Sequence, residues 1–351
     1  MKHLFFVHSF ASYHCALRVI DYEGLEGEDC VFVCARDFVC PNPPPNSVQT
    51  IARFRQTMGM LSLREVLRGI RSGKDADKEI SKLAGANGFH AYIPHSYYAP
   101  IQWALSHPLC EGYSYIEEGL TSYYGLKEIA KAYPPRKPPY KAGVACRILF
   151  GKRTPKIFTF FQEGYTKVYG FFDTSFPSWK RRHTVGPPEH MARKRDRAKN
   201  QCPLLVFDTL VELGMCSADV LEKALSDFLE ILVDSGVHEL RYKLHPGQLE
   251  ESRESVSRVF GAFSERVSFE ELARSVSLEQ IFHEEDCDVY VFNSAAGMYA
   301  AQAGQRVFTI NELVSQYDPE YSEKVSRFPA IYHELVMPIS IARGSGMPAS
   351  V

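Results

Sequence analysis

The sequence predicts an α/β protein made of two Rossmann-like halves, each with a mainly parallel sheet. Three observations carry this. Short apolar runs alternate with helix-periodic stretches as far as Tyr133, the pattern dissolves between Tyr133 and Gln201, and the alternation restarts after Pro203. Strands alternating with helices form βαβ units, which assemble into parallel sheets. The 351 residues, 45% hydrophobic and 23% charged, also exceed what one core usually supports, because cores stop growing past roughly 250 to 300 residues.

In the first half, Leu4 to His8 reads as a strand and Tyr13 to Ile20 has helical spacing. Cys30 to Cys34 is a short, continuously apolar run of the kind buried on both faces of a parallel sheet. Helical spacing returns over Leu61 to Ile70 and Lys78 to Leu83; His90 to Pro94 gives a strand, Ile101 to Leu105 a helix and Tyr113 to Ile116 a further strand. Pro134 to Pro139 and Gly186-Pro187-Pro188 then break the pattern. Lys156 to Phe172 is an aromatic-rich, partly strand-like piece that closes the first domain. In the second half, Leu204 to Phe207 is a strand, and Ser217 caps a helix running to about Ser235 with Asp219 and Glu222 in its first turn. Leu240 to Leu244 is the next strand and Leu249 to Phe263 a helix. Ser277 and Gln280 form a capping box for a short helix; strand Val289 to Phe292, helix Ala295 to Ala303 and strand Val307 to Ile310 follow. The expected organisation is a domain over 1–178, a basic linker over 179–202, a second domain over 203–330, and a tail over 331–351 that packs back on the first domain.

No apolar run approaches the ~18 residues of a membrane span, and His8 interrupts the apolar start, so that segment reads as a strand rather than a signal peptide. A cytoplasmic location is expected. The nine cysteines are scattered without a C-x-x-C pair, which favours reduced thiols over disulfides or a zinc site. Net charge is only −2, yet Lys and Arg crowd Lys180-Arg181-Arg182 and Arg193-Lys194-Arg195-Asp196-Arg197. Such a segment is either a solvated linker or, over 180–199, a peripheral contact with an anionic membrane surface. Nucleic acid is excluded as a partner, since aromatics are not interleaved with the basic residues.

The chemistry concentrates where apolar strands stop, the edge at which open α/β sheets bind ligands. Tyr115-Ile116-Glu117-Glu118-Gly119 ends one strand: a carboxylate there can take a proton from an attacking hydroxyl, while both glutamates can equally begin the next helix and complement its dipole. His245 ends another, with Pro246-Gly247 fixing the turn; its imidazole can donate to a phosphate oxygen or be a plain turn residue. Ser294, after Asn293, caps the Ala295 helix. Its hydroxyl and the first N–H groups suit a phosphate, and the small run Ala295-Ala296-Gly297 leaves room for one; a structural cap is the simpler role. Asp208 follows a strand at the same edge and can touch a ribose or base, or cap a turn. His8-Ser9 and His95-Ser96 end strands of the first half and can line the sugar side, or be ordinary loop groups. Tyr97, Tyr98, Tyr123 and Tyr124 add aromatic surface there.

With one motif in the first half and two in the second, the chain resembles bacterial sialyltransferases of the GT-B architecture, including lipooligosaccharide sialyltransferases and capsule polysialyltransferases. The family's acidic pair before glycine, His-Pro and serine motifs correspond to Glu117-Glu118-Gly119, His245-Pro246 and Ser294. The resemblance implies two Rossmann-like domains facing a central cleft, CMP-sialic acid as donor, Glu117 as general base, His245 binding and protonating the departing phosphate, and Ser294 holding it. Transfer would invert the anomeric carbon and use no metal or other cofactor. Of the two Asp-x-Asp triplets, Asp75-Ala76-Asp77 lies in a helix-like surface stretch and Asp286-Cys287-Asp288 precedes a strand, so both read as structural. Alternatives are transfer of another CMP-activated ulosonic acid such as Kdo, a GT-B enzyme using a UDP- or GDP-sugar, and a non-catalytic nucleotide-sugar or glycan-binding protein of this fold.

Overall fold

A computed structural model describes residues 1–35, 38–44, 47–49, 77–133, 160–188, 198–199 and 202–339. The chain divides into two units, Met1–Pro188 and Glu189–Val351.

The first unit is built on strands β1 (Lys2–Val7), β2 (Cys30–Cys34), β3 (Val48–Gln49), β4 (Phe89–Ile93), β5 (Cys110–Ile116), β6 (Val168–Gly170) and β7 (Arg182–Thr184). They form one sheet in the order β3-β2-β1-β4-β5-β6-β7, and every pairing is parallel. The unbroken apolar runs of β1 and β2 follow from burial on both faces. Leu4, Phe6, Val31, Val33, Ala91 and Ile93 pack on one side with Ile101 and Trp103, and Phe5 stacks on Tyr92 on the other at 4.2 Å between ring centroids. Each of the Leu, Val, Ile and Phe side chains among these stabilises the fold by about 1.5–3 kcal/mol relative to exposure. Ser9 caps the helix Phe10–Glu23 and exchanges hydrogen bonds with Ser12; the helix stops at Gly24, whose φ of 63° is left-handed, a conformation glycine adopts without a Cβ penalty.

The second unit contains β8 (Ala198–Lys199), β9 (Leu204–Val206), β10 (Glu239–Lys243), β11 (Ser268–Glu271), β12 (Glu285–Asp286), β13 (Asp288–Val291), β14 (Arg306–Thr309) and β15 (Met337–Pro338). Its main sheet runs β11-β10-β9-β13-β14-β15, with β8 and β12 paired separately. All of these pairings are parallel too. Helix Ala218–Asp234 buries Leu221, Ala224, Leu225, Phe228, Leu229 and Leu232, the three-and-four spacing of an amphipathic helix lying on a sheet. Both sheets therefore have the doubly wound strand order in which the first strand lies beside the fourth.

Three details differ from the expectations. Part of the basic linker is strand β7: Arg182 donates to the Asp173 carbonyl at 2.7 Å and Arg181 to the Tyr165 carbonyl at 3.2 Å, so these cations fasten a sheet edge. Met337–Pro338, within the expected tail, pairs with β14 of the second unit rather than joining the first. Ser277 accepts the Gln280 N–H, but the Gln280 amide turns to Glu284 at 2.8 Å, so the cap is one-sided. The expected helix over Leu61 to Ile70, the Pro134 to Pro139 breaker and the Arg193 to Arg197 run lie outside the described residues. No helix among the described residues is long and apolar enough to cross a membrane.

Candidate active site

Ligands in doubly wound sheets bind beyond the carboxyl ends of the strands, where the strand order reverses. In the first sheet that point lies between β1 and β4, and the residues just past the neighbouring strand ends are His8, His95 and the Glu117-Glu118 pair. In the second it lies between β9 and β13, just before Asp208 and Asn293-Ser294, with His245 past the end of β10. His8, His95, Glu117-Glu118, Asp208, His245 and Asn293-Ser294 thus each follow the carboxyl end of a strand of their own unit.

The two glutamates have opposite environments. Glu117 has no exposed surface and accepts hydrogen bonds from the Tyr123 hydroxyl at 2.6 Å, the Phe171 N–H at 2.8 Å and the Ser175 hydroxyl at 2.7 Å. A carboxylate ringed by three donors inside the protein is a structural acceptor, and it has no surface on which to meet the acceptor hydroxyl expected of it. Gly170 makes this possible, since a Cβ there would sit 2.2 Å from Ser175 Cβ and 3.2 Å from Glu117 Oε2. Glu118, on the next residue and so directed to the other side, reaches the site. Its Oε2 lies 2.8 Å from His8 Nε2 and 3.9 Å from His95 Nε2, and its Oε1 accepts the Thr121 hydroxyl at 2.7 Å. Gly119, with φ 142° and ψ −150°, adopts backbone that side-chain-bearing residues avoid, and the turn it makes brings Thr121 back to Glu118. Ser9 has its hydroxyl engaged in the helix cap. Ser96 donates to the Phe160 carbonyl at 2.8 Å.

His8, His95 and Glu118 place one ligand atom each within 4.8 Å of one another, the spacing of a metal site. The tautomers disagree with that use. The Tyr97 N–H donates to His95 Nδ1 at 3.1 Å, so the neutral ring carries its proton on Nε2, the nitrogen facing Glu118. A metal-ligating histidine has the reverse arrangement, donating through its other nitrogen. Within the cluster His8 and Glu118 are at hydrogen-bond distance, and His95 Nε2 stands farther off at 3.9 Å.

In the second unit His245 shows the same local device. The Gly247 N–H donates to Nδ1 at 3.0 Å and the His245 N–H to Gln248 Oε1 at 2.9 Å, so the neutral ring, which is exposed, carries its proton on Nε2. A Cβ on Gly247 would stand 3.2 Å from both His245 Nδ1 and Thr209 Cγ2, so Pro246-Gly247 keeps this turn tight. Ser294 accepts the Ala296 N–H at 3.2 Å as cap of the helix Ala295–Gln302. Gly297, expected to leave room for a phosphate, instead faces the sheet, where a Cβ would come within 3.0 Å of Val291; it seats the helix on β13. Asp208 Oδ1 accepts the N–H of Thr209 at 2.7 Å and so caps the following turn.

Asn293 is 6% exposed. Its Nδ2 donates to the Tyr321 hydroxyl at 2.8 Å, which itself donates to Asn311 Oδ1 at 2.6 Å. That chain fixes the amide orientation and leaves Asn293 Oδ1 buried without a partner among the described residues. Sequence reasoning missed Tyr321, Asn311 and Tyr332, whose hydroxyl donates to the Phe292 carbonyl at 2.6 Å; they converge from later helices with no local signal. Of the two Asp-x-Asp triplets, Asp75 and Ala76 lie outside the described residues; Asp77 accepts from the Trp103 indole, and Asp288 pairs with Arg306 at 2.7 Å at the start of β13, away from the ligand edge.

No family model and no curated protein sequence matches the chain. Solved structures do. S. aureus MnaA in a co-structure with UDP is 11% identical, with a TM-score of 0.52 over 93% of this chain and 90% of that one. UDP-GlcNAc 2-epimerase from Methanocaldococcus jannaschii, in complex with UDP-GlcNAc and UDP, is 9% identical, with a TM-score of 0.50 over 97% and 89%. The fold is GT-B. These matches correct the resemblance to sialyltransferases: the similar structures hold UDP or UDP-GlcNAc, and nothing in them points to CMP-sialic acid. The motifs misled because each has a structural task in this chain, with Glu117 buried as an acceptor, Gly119 making a turn and Ser294 capping a helix.

Proposed function

We propose that this chain binds a nucleotide sugar through its second Rossmann unit and acts as a glycosyltransferase on it. The observation that carries the reading is the buried, unpartnered Asn293 Oδ1 at the strand-order reversal. Leaving a buried acceptor unsatisfied costs about 1–3 kcal/mol, and a ribose hydroxyl or base N–H would satisfy it. Around it, His245 Nε2–H and the Ala295 helix N-terminus supply donors for a phosphate, and Asp208 a carboxylate for a ribose. The GT-B likeness to structures that hold UDP supports a nucleotide ligand. A second reading, a non-catalytic nucleotide-sugar or glycan-binding protein, draws support from Glu117, whose carboxylate is wholly engaged inside the protein.

Titration calorimetry with UDP, GDP and CMP tests binding and identifies the base. One nucleotide should bind, and His245→Ala should weaken it at least tenfold. If none of the three binds, the reading is wrong. Product analysis by NMR with the matching nucleotide sugar and a panel of sugar acceptors then separates transfer from binding alone.

A further inference from the structure

We propose that Asp208 and Asn293 read the sugar of the bound nucleotide, each accepting one hydroxyl of its 2′,3′-cis-diol, so that the second unit takes ribonucleotides and rejects their deoxy forms; this rests on the nucleotide-binding reading above. The strand register sets up the pair. Lys243, Val206, Val291 and Thr309 stand side by side across β10, β9, β13 and β14. Two residues further along each strand come His245, Asp208, Asn293 and Asn311, one row of polar residues at the carboxyl edge with neighbours about 4.8 Å apart by strand spacing. Past the strand ends the row stays together. The Phe207 and Phe292 rings lie 5.7 Å apart, and Asn293 and Asn311 share the Tyr321 hydroxyl. Burial first, with the Asp208 charge among lesser causes, pushes up the pKa of Tyr321 and of Tyr332, so the carboxylate stands near the same hydroxyls.

Both central members of the row present acceptors. Tyr321 gives its one proton to Asn311 Oδ1, so its oxygen accepts from Asn293 Nδ2, and Asn293 Oδ1 is left as an acceptor, buried and without a partner among the described residues. Asp208 keeps Oδ1 for the Thr209 N–H at 2.7 Å and the Thr209 hydroxyl at 3.3 Å, which leaves Oδ2 for a ligand. A carboxylate and an amide oxygen only accept, so the ligand must bring two donors on neighbouring atoms. A phosphate brings none and is repelled by Asp208. A guanine edge would take both oxygens of one carboxylate, and Oδ1 is already engaged. Two hydroxyls on adjacent ribose carbons fit, one to each acceptor.

The test is titration calorimetry on the full chain, comparing whichever of UDP, GDP and CMP binds with its 2′-deoxy and 3′-deoxy forms. Loss of either hydroxyl should weaken binding at least about tenfold, since an acceptor of the site is then left unpaired. Asp208→Ala and Asn293→Ala should each bring one of these two ratios below about threefold and leave the other above about tenfold, which assigns each hydroxyl to its acceptor. Tyr321→Phe, which removes the oxygen that fixes the Asn293 amide, should lower the same ratio as Asn293→Ala; Tyr321 is a positioning residue. The deoxy comparison on the unaltered protein decides the matter even if a variant fails to fold. Wild-type affinities within threefold of one another for the ribo and both deoxy forms overturn the diol assignment. So do ratios that neither Asp208→Ala nor Asn293→Ala reduces. A protein that binds none of the three nucleotides refutes the function proposed above and this reading with it, whereas tight binding without discrimination at the ribose overturns this reading alone.

Discussion

At the residue scale, the pair Glu117-Glu118 shows two adjacent carboxylates taking unrelated tasks because one faces the interior and the other the ligand edge. The donors to Glu117 come from Tyr123, Phe171 and Ser175, and the space for Ser175 exists only because residue 170 is glycine. Gly170→Ala should therefore destabilise the protein by about 2–4 kcal/mol, the cost of overpacking together with a strained buried network; urea denaturation measures it, and a change below about 0.5 kcal/mol would refute the hub role. Glu117→Gln keeps the shape but sets an amide among donors, for an expected loss of about 1–3 kcal/mol with nucleotide affinity unchanged. A thousandfold fall in kcat for that variant at unaltered stability would return the base role to Glu117. The sequence showed that both glutamates end a strand. It could not show which one faces inward, because Phe171 and Ser175 lie more than fifty positions away and carry no pattern linking them to Glu117. His8 and His95 were likewise readable as strand ends, but their meeting at Glu118 depends on β1 and β4 being neighbours in the sheet.

At the element scale, period and punctuation made most strands and helices readable: continuous apolar runs for β1 and β2, Ser217 as a cap; the Ser9 cap and the Gly24 stop of the first helix were not read from the sequence. The misread elements were short ones whose composition resembled something else. Strand β7 is Arg-His-Thr with an exposed pattern, so its charge read as linker, and β15 is a two-residue strand ending in proline. A further element-scale dependence lies at the end of β10. The Lys243 ammonium, buried, donates to the carbonyls of Ala273 at 2.9 Å and Val276 at 2.6 Å, tying the loop after β11 to the end of β10, two residues before His245. Burial pushes its pKa down, and three carbonyls replace the water it has lost. Lys243→Met should leave those carbonyls unpaired and free the loop. Hydrogen exchange of 272–277 should accelerate at least tenfold, with the Ala218–Asp234 helix unaffected; unchanged protection would show that the clamp does not order the loop.

At the scale of the whole molecule, titrating groups are unevenly placed. Burial lowers the pKa of His14 and of His90 to about 4, and it lowers those of His3 and His107 as well; all four belong to the first unit. In the native protein His14 and His90 stay neutral down to about pH 4, whereas in the unfolded chain they charge near 6.5. The unfolded state therefore binds more protons between these limits, and stability falls as pH drops through that window, by about 1.4 kcal/mol per pH unit for each histidine. Both tryptophans, Trp103 and Trp179, are buried in this same unit, so indole fluorescence reports on it selectively. Urea unfolding followed by fluorescence should lose about 3–4 kcal/mol between pH 7 and pH 5 from the two histidines together. His14→Leu, which keeps an apolar side chain beside Phe10 and Tyr13, should remove about half of that slope. A fluorescence midpoint that does not move with pH, or an unaltered slope in His14→Leu, would mean that these rings titrate in the folded unit much as they do in the open chain, and that their burial is not what makes the first unit acid-sensitive.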